Sequence, residues 1–230
     1  MFSAIRSDVR AAKERDPAAR STLEIILCYP GVHAIWGHRV SHWLWQRGAR
    51  LPARAFAEFV RMVTGVELHP AAVLGSGVFI DHATGVVIGE TARVGDDVTI
   101  YQGVTLGGIS LDAGKRHPTI GDRVTIGAGA KILGPITIGE DSRIGANAVV
   151  VKPVPPRSVV VGVPGQVIDR GQQPTPVRGD TGSMPDLVGV SLQSLLTRVA
   201  TLEALVHAPR EGRLIRPPEA GVWHGEDFSI

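Results

Sequence analysis

Along one stretch of this 230-residue chain every sixth residue is aliphatic: Leu68, Leu74, Ile80, then Ile88, Val94, Ile100, Leu106, then Ile120, Ile126, Ile132, Ile138, Ile144 and Val150. Two insertions shift the phase, one of two residues after Asp81-His82-Ala83-Thr84 and one of eight after Leu106. Eight of the 13 residues that follow these aliphatics are glycine, and the residue four places after each is small or β-branched. A helix repeats every 3.6 residues and a half-buried strand every two, so neither makes a period of six. The period predicts a mainly β solenoid, a parallel β-helix of short strands meeting at tight corners. Aliphatic side chains fill its narrow axis, and glycine turns the corners. Large rings do not fit such an axis. Residues 65–171 accordingly hold 19 of the 28 glycines but only two aromatics, Phe79 and Tyr101.

The flanks obey other rules. Residues 1–64 carry three of the four tryptophans and read as an α-helical region. Ser21-Thr22-Leu23-Glu24 has capping-box spacing. Asp16-Pro17 lies between the first two helices, with Pro17 suited to a first turn. Pro30-Gly31 breaks the chain before an apolar helical pattern over 32–46, Gly48 suits a C-terminal cap, and the pattern resumes over 53–63. After the β-helix of 65–171, residues 172–186 read as a linker and 187–207 as a helix. Its Val188, Leu192, Leu195, Val199, Leu202 and Val206 follow a/d spacing. That seam serves either a three-stranded coiled coil or packing on its own subunit. Residues 208–230 read as a flexible tail.

Composition narrows the function classes. A 43% hydrophobic content excludes a disordered chain, and glycine without a three-residue period excludes collagen. A net charge of +2, from 24 basic and 22 acidic residues, provides no field for nucleic acid. One cysteine, Cys28, excludes an internal disulfide and a multi-cysteine zinc cage. Arg6, Asp8, Arg10, Lys13, Glu14 and Arg15 stand where a signal peptide needs an apolar core, and no run is long enough to span a membrane. The expected location is cytoplasmic, with no membrane partner. His38 and His42 have the i,i+4 spacing of a metal pair but lack a third ligand, so they read as a polar helical stripe and no metal is expected. Gly127-Ala128-Gly129 has no βαβ unit around it and is not read as a nucleotide loop.

The six-residue rule resembles the hexapeptide-repeat acyltransferases, whose left-handed parallel β-helix takes three hexapeptides per coil and usually assembles as trimers. With three per coil, Ile80, Ile100, Ile126 and Ile144 share a face. The column two residues further on reads His82, Gln102, Ala128, Ala146. One imidazole thus stands at the end of a row of small residues, along which a long thin ligand could lie. The insertion at 107–119 leaves the solenoid as a loop carrying Lys115, Arg116 and His117, and excursions of this kind tend to be functional. In a trimer it could reach the neighbouring subunit.

His69-Pro70-Ala71-Ala72, Asp81-His82-Ala83-Thr84-Gly85, Gly89-Glu90-Thr91, Thr105-Leu106-Gly107-Gly108 and Arg116-His117-Pro118 together resemble the serine O-acetyltransferase family. The resemblance spans about residues 10–170 and includes Arg15-Asp16-Pro17 and His42-Trp43-Leu44-Trp45. It implies transfer of acetyl from acetyl-CoA, a co-substrate rather than a tightly bound cofactor, to L-serine on the route to cysteine. A serine hydroxyl needs a base as it attacks, and His82 is the candidate. Glu67, at a position where some members carry aspartate, would orient it. Arg116 would clasp the serine carboxylate. By the same resemblance, Asp16 and Asp81 face the ammonium and His117 completes the pocket. Gly108, Ala128 and Ala146 are assigned to the pantetheine arm, and Lys152 to a phosphate.

Further expectations follow from the resemblance. One is a homotrimer or a dimer of such trimers, and another is feedback inhibition by L-cysteine. A third is a complex with O-acetylserine sulfhydrylase through the terminal Asp227, Phe228, Ser229 and Ile230. The alternatives at this point are another hexapeptide acyltransferase, a γ-type carbonic anhydrase needing a third histidine beside His82 and His117, and a non-catalytic scaffold.

Overall fold

A computed structural model describes residues 2–168 and 194–199. The six-residue period becomes three parallel faces. β1 (Glu67–Leu68), β2 (Val73–Leu74) and β3 (Phe79–Ile80) make the first coil. β4 (Val87–Ile88), β5 (Arg93–Val94) and β6 (Thr99–Ile100) make the second. β7 (Thr105–Gly107), β8 (Thr119–Ile120) and β9 (Thr125–Ile126) form the third, then β10 (Lys131–Leu133), β11 (Thr137–Ile138) and β12 (Arg143–Ile144) the fourth. A fifth coil begins with β13 (Val149–Val150), continues through a single bridge from Val154 to Ile138, and ends in β14 (Val159–Val161). The antiparallel β15 (Gln166–Ile168) closes that edge.

The first face is the sheet β1-β4-β7-β10-β13, the second β2-β5-β8-β11, and the third runs from β3 through β6, β9 and β12 to β14. Aliphatics from successive coils stand in register inside, as Ile80 on Ile100 and Ile100 on Ile126. Of the 13 repeat positions, all but the half-buried Leu74 are buried in one cluster. Ladder hydrogen bonds and close aliphatic packing support one another at every rung.

Helices cover the first coil. They are α1 (Phe2–Arg15), α2 (Thr22–Cys28), α3 (Pro30–Gln46) and α4 (Arg50–Thr64). Ser21 caps α2 by accepting from the Glu24 N–H, while the Glu24 carboxylate reaches past it to the Arg20 N–H. Pro30 does not merely break the chain; it is the first residue of α3. Pro17 lies in a turn rather than a helical first turn. Asp8, fully buried, takes a bidentate hold on Arg39 and also accepts from the Gly77 N–H. Arg39 in turn donates to the Gly75 carbonyl, so this pair joins α1 and α3 to the corner between β2 and β3.

His38, expected to be part of a polar helical stripe, is buried rather than displayed on the surface. Its ring is buried, stacks on His42 at 5.5 Å, and has no hydrogen-bond partner on either nitrogen. Burial, with the neighbouring His42 and Arg39 acting in the same direction, pushes its pKa down to about 3. The face of α3 that carries it lies on the first coil, which the helical period alone does not reveal. Cys28 is exposed.

Residues 194–199, within a second compact unit of the chain, are helical, with Leu195 and Val199 exposed. The linker 172–186, the rest of the 187–207 helix and the tail with Asp227, Phe228, Ser229 and Ile230 lie outside the described residues.

Candidate active site

The two insertions fall at opposite edges of the first face. The smaller one opens the corner between β3 and β4. Register holds as far as Asp81, whose N–H donates to the Ile100 carbonyl as that of Tyr101 does to Ile126. The chain then bulges, with His82 and Ala83 both left-handed at φ 57° and 56°. It regains register at Thr84, whose carbonyl accepts from Gly103, just as Gln102 accepts from Gly129 and Ala128 from Asn147. The corner column is therefore Thr84, Gln102, Ala128, Ala146. His82 stands outside it, because the two extra residues are absorbed at His82-Ala83 rather than after Thr84. Its side chain is 72% exposed at the tip of the bulge.

Polar groups from separate segments gather around Asp81 beneath this tip. Asp81 lies beneath it, with Oδ2 3.8 Å from His82 Nε2. Asp16, at the turn between α1 and α2, accepts at Oδ1 from the Ala18 N–H at 2.7 Å and at Oδ2 from the Tyr29 hydroxyl at 2.5 Å. Burial raises the pKa of Asp81, which the His82 imidazole opposes and the Asp16 charge reinforces. The hydrogen bond to Asp16 holds the Tyr29 phenol well above its ordinary range. Burial, then the Asp81 charge, raises Tyr101. Asp16 and Asp81, 65 residues apart in sequence, thus act on each other beneath the bulge as paired negative charges suited to an ammonium.

Glu67 does not reach hydrogen-bond contact with His82. It lines a cleft with Arg54, Glu58, Leu68, His69 and Pro70. The two regions are linked by backbone: the Gly85 N–H, just past the bulge, donates to the carbonyl of Gly65, two residues before Glu67.

The larger insertion opens the other edge, between β7 and β8. Here the polar groups are already paired. Thr91 Oγ1 accepts from the N–H groups of Arg116 and His117 and lies 2.9 Å from His117 Nδ1. The Thr91 N–H also donates to Nδ1, which assigns the neutral ring's proton to Nε2. Burial lowers the pKa of His117, and the Arg116 charge adds to this, so the ring offers Nε2–H as a donor. A Cβ on Gly89 would come 2.0 Å from Nε2, so only glycine leaves room for the ring. Arg116 pairs with Glu90, whose carboxyl this hydrogen bond holds below its usual range. Its remaining N–H donors suffice for a second carboxylate. Lys115 Nζ donates to the carbonyls of Thr91 and Pro118.

The residues assigned to acetyl-CoA divide between the same two edges. Ala128 and Ala146 stand in the column below the His82 bulge. Gly108 packs against Arg116 and His117 at the other edge, and the exposed Lys152 follows β13 there, two coils on. Sequence reasoning assigned no role to Tyr29, Tyr101, Glu90 or Thr91. Of these only Glu90 and Thr91 carried a signal, as part of a quoted motif.

Comparison with known proteins supplies an independent line. Residues 1–36 match the family described as serine acetyltransferase, N-terminal, and residues 117–152 match the bacterial transferase hexapeptide (six repeats). The chain is 73% identical over 230 residues to a serine acetyltransferase of Mycobacterium tuberculosis, covering 100% of both. Among solved structures it is similar to soybean serine acetyltransferase complexed with serine, with 50% identity and a TM-score of 0.71 over 72% of this chain and 68% of that one. A Brucella abortus serine acetyltransferase in complex with coenzyme A gives 47% identity and a TM-score of 0.71, over 73% and 67%. A serine acetyltransferase in complex with cysteine gives 42% and 0.72, over 73% and 70%.

Proposed function

Since the chain belongs to the serine acetyltransferase family, we propose that its His82 takes the proton from the serine hydroxyl as that oxygen attacks the thioester of acetyl-CoA. The activity is that of an acetyl-CoA-dependent acyltransferase on a left-handed parallel β-helix: acetyl-CoA and L-serine give O-acetyl-L-serine and CoA. As the oxygen–carbon bond forms, the proton passes to Nε2 of His82. As the carbon–sulfur bond breaks, the same imidazole returns it to the CoA thiolate. The thioester is already activated, so no acyl-enzyme is needed.

The observation that carries this assignment is the bulge itself. It frees one imidazole of ladder contacts and leaves it exposed, 3.8 Å from Asp81, a carboxylate that in turn lies within the field of Asp16 from the distant α1–α2 turn. Asp16 and Asp81 hold the serine ammonium, Arg116 clasps the carboxylate, and His117 donates from Nε2. We assign Glu67, whose strand leaves from beneath the bulge, to the imidazolium that forms. Ala128, Ala146 and Gly108 receive the pantetheine arm and Lys152 a phosphate.

A homotrimer fits this division of labour. Past the turn at Thr84-Gly85, from Val86 to Gly89, the first face spans roughly 10 Å of extended chain at ~3.3 Å per residue. One serine cannot bridge that width, so His82 of one copy would work with Arg116 and His117 of the next. Cysteine, which a relative binds, would compete at the same site and make the enzyme answer to the end product of the sequence it begins. The terminal Asp227-Phe228-Ser229-Ile230 would dock into O-acetylserine sulfhydrylase, and deleting the four residues should abolish that binding. Among the described residues no helix is long and apolar enough to cross a membrane, and we place the enzyme in the cytoplasm.

The test is thiol release from acetyl-CoA by the purified protein. Release should depend on L-serine, and cysteine should raise the apparent KM for serine. Release that ignores serine would overturn the reading.

A further inference from the structure

We propose that Tyr29 is a positioning residue for the serine ammonium, acting through Asp16. This rests on the assignment of Asp16 to that ammonium. Asp16 comes from a turn, where a short side chain has rotamer freedom unless something removes it. Both of its oxygens are held: Oδ1 by the Ala18 N–H and Oδ2 by the Tyr29 hydroxyl. The first contact is local and belongs to the turn. The second crosses from the α2–α3 junction and is the one that aims the carboxylate.

Tyr29 is itself firmly placed. Its backbone ends α2 and begins α3: its N–H donates to the Ile25 carbonyl, and its own carbonyl accepts from Val32 and His33. Two residues on, a Cβ at Gly31 would fall 1.9 Å from the carbonyl oxygen of Ile80. The start of α3 is therefore seated on β3, one residue before Asp81. The Tyr29 ring packs against the small cluster of Ala11, Ala12, Ile25, Val32 and Phe79. With its backbone shared by two helices and its ring in that cluster, the hydroxyl has a fixed address.

The hydroxyl answers a definite electrostatic problem. Asp16 and Asp81 repel each other, and a carboxylate free to rotate would turn away toward water. A phenol that stays protonated donates to Asp16 without adding charge, so the negative field remains available to an ammonium. A lysine or arginine in its place would neutralise that field. Tyr29 thereby ties the helical region to the corner bulge, and serine affinity to the seating of α3.

Steady-state kinetics of the full-length enzyme test this. Tyr29→Phe keeps the ring and removes one hydrogen bond to a charged group, and should raise the serine KM about tenfold. The acetyl-CoA KM should stay unchanged, and the Tm should fall by only a few degrees with the lost hydrogen bond. The inhibition constant of 3-hydroxypropionate, which has the hydroxyl and carboxylate of serine but no ammonium, should also stay unchanged. Asp16→Asn should raise the serine KM as well, and the double variant should be no worse than Asp16→Asn alone. An unchanged serine KM in Tyr29→Phe, a parallel rise in the acetyl-CoA KM, or a double variant equal to the product of the two single effects would each overturn the proposal. A flat response in Asp16→Asn would remove the ammonium assignment of Asp16, and this proposal with it. A raised KM there beside a flat Tyr29→Phe would remove Tyr29 alone.

Discussion

The corner at His82 and the loop at Arg116 are both insertions into the same six-residue rule, yet they solve different problems. The two-residue bulge is too small to fold on itself. It leaves His82 exposed, with its paired carboxylate 3.8 Å away. The eight-residue loop is long enough to satisfy its own polar groups, and it buries His117 against Thr91 and ties Arg116 to Glu90. A base must exchange protons and so needs room and water access before substrate arrives. A carboxylate clamp gains from being held in place beforehand, since less order is then lost on binding. Under the proposed assignments, one scaffold supplies a reactive edge and a preorganised edge.

Substitutions can break that contrast. The largest effect should come from His82→Ala, which removes the base and should lower kcat by roughly 10²–10⁴-fold while leaving the Tm unchanged. Retained kcat would show that the exposed edge is not the reactive one. Gly89→Ala attacks the preorganised edge, because its Cβ would meet His117 Nε2 at 2.0 Å. Displacing that ring should cost about 1–3 kcal/mol of stability, read by denaturant unfolding, and raise the serine KM about tenfold with kcat less affected.

The smallest effect sharpens the contrast between exposed and buried imidazoles. Burial holds His38 at about 3, below the ~6.5 of an unfolded chain. The folded state then binds fewer protons between those values, so the stability tied to a neutral His38 is complete above pH ~6.5 and is lost as pH falls below it. At pH 5 the loss should be about 2 kcal/mol, from ~1.4 kcal/mol per pH unit. His38→Met should flatten this pH dependence of the Tm without changing the kcat profile.

The core was legible because a solenoid is read one rung at a time. A side chain pointing into a three-sided axis must be aliphatic whatever lies far away, so Ile100 or Ile132 announces itself locally. Contacts between coils are harder to read. Three hexapeptides put residues 18 apart in register, as for Thr125 and Arg143, but the insertions stretch this to 20 for Ile80 and Ile100 and to 26 for Thr99 and Thr125. The sequence shows that two residues are inserted near His82 without showing which two bulge. That is why Thr84, not His82, occupies the column. The meeting of Asp16 with Tyr29, and the burial of His38, depend on where the helices settle on the first coil. No period in 1–64 encodes that choice.

The central claim is that these two edges, far apart on one chain, form one site between neighbouring copies. Co-expressing His82→Ala and Arg116→Ala chains in equal amounts tests it directly. Each variant alone should be nearly inactive. Random mixing in a closed ring should rebuild about a quarter of the sites with both groups intact and restore about that share of wild-type kcat. Mixed assemblies no more active than the two parents would contradict the claim and return both edges to a single chain.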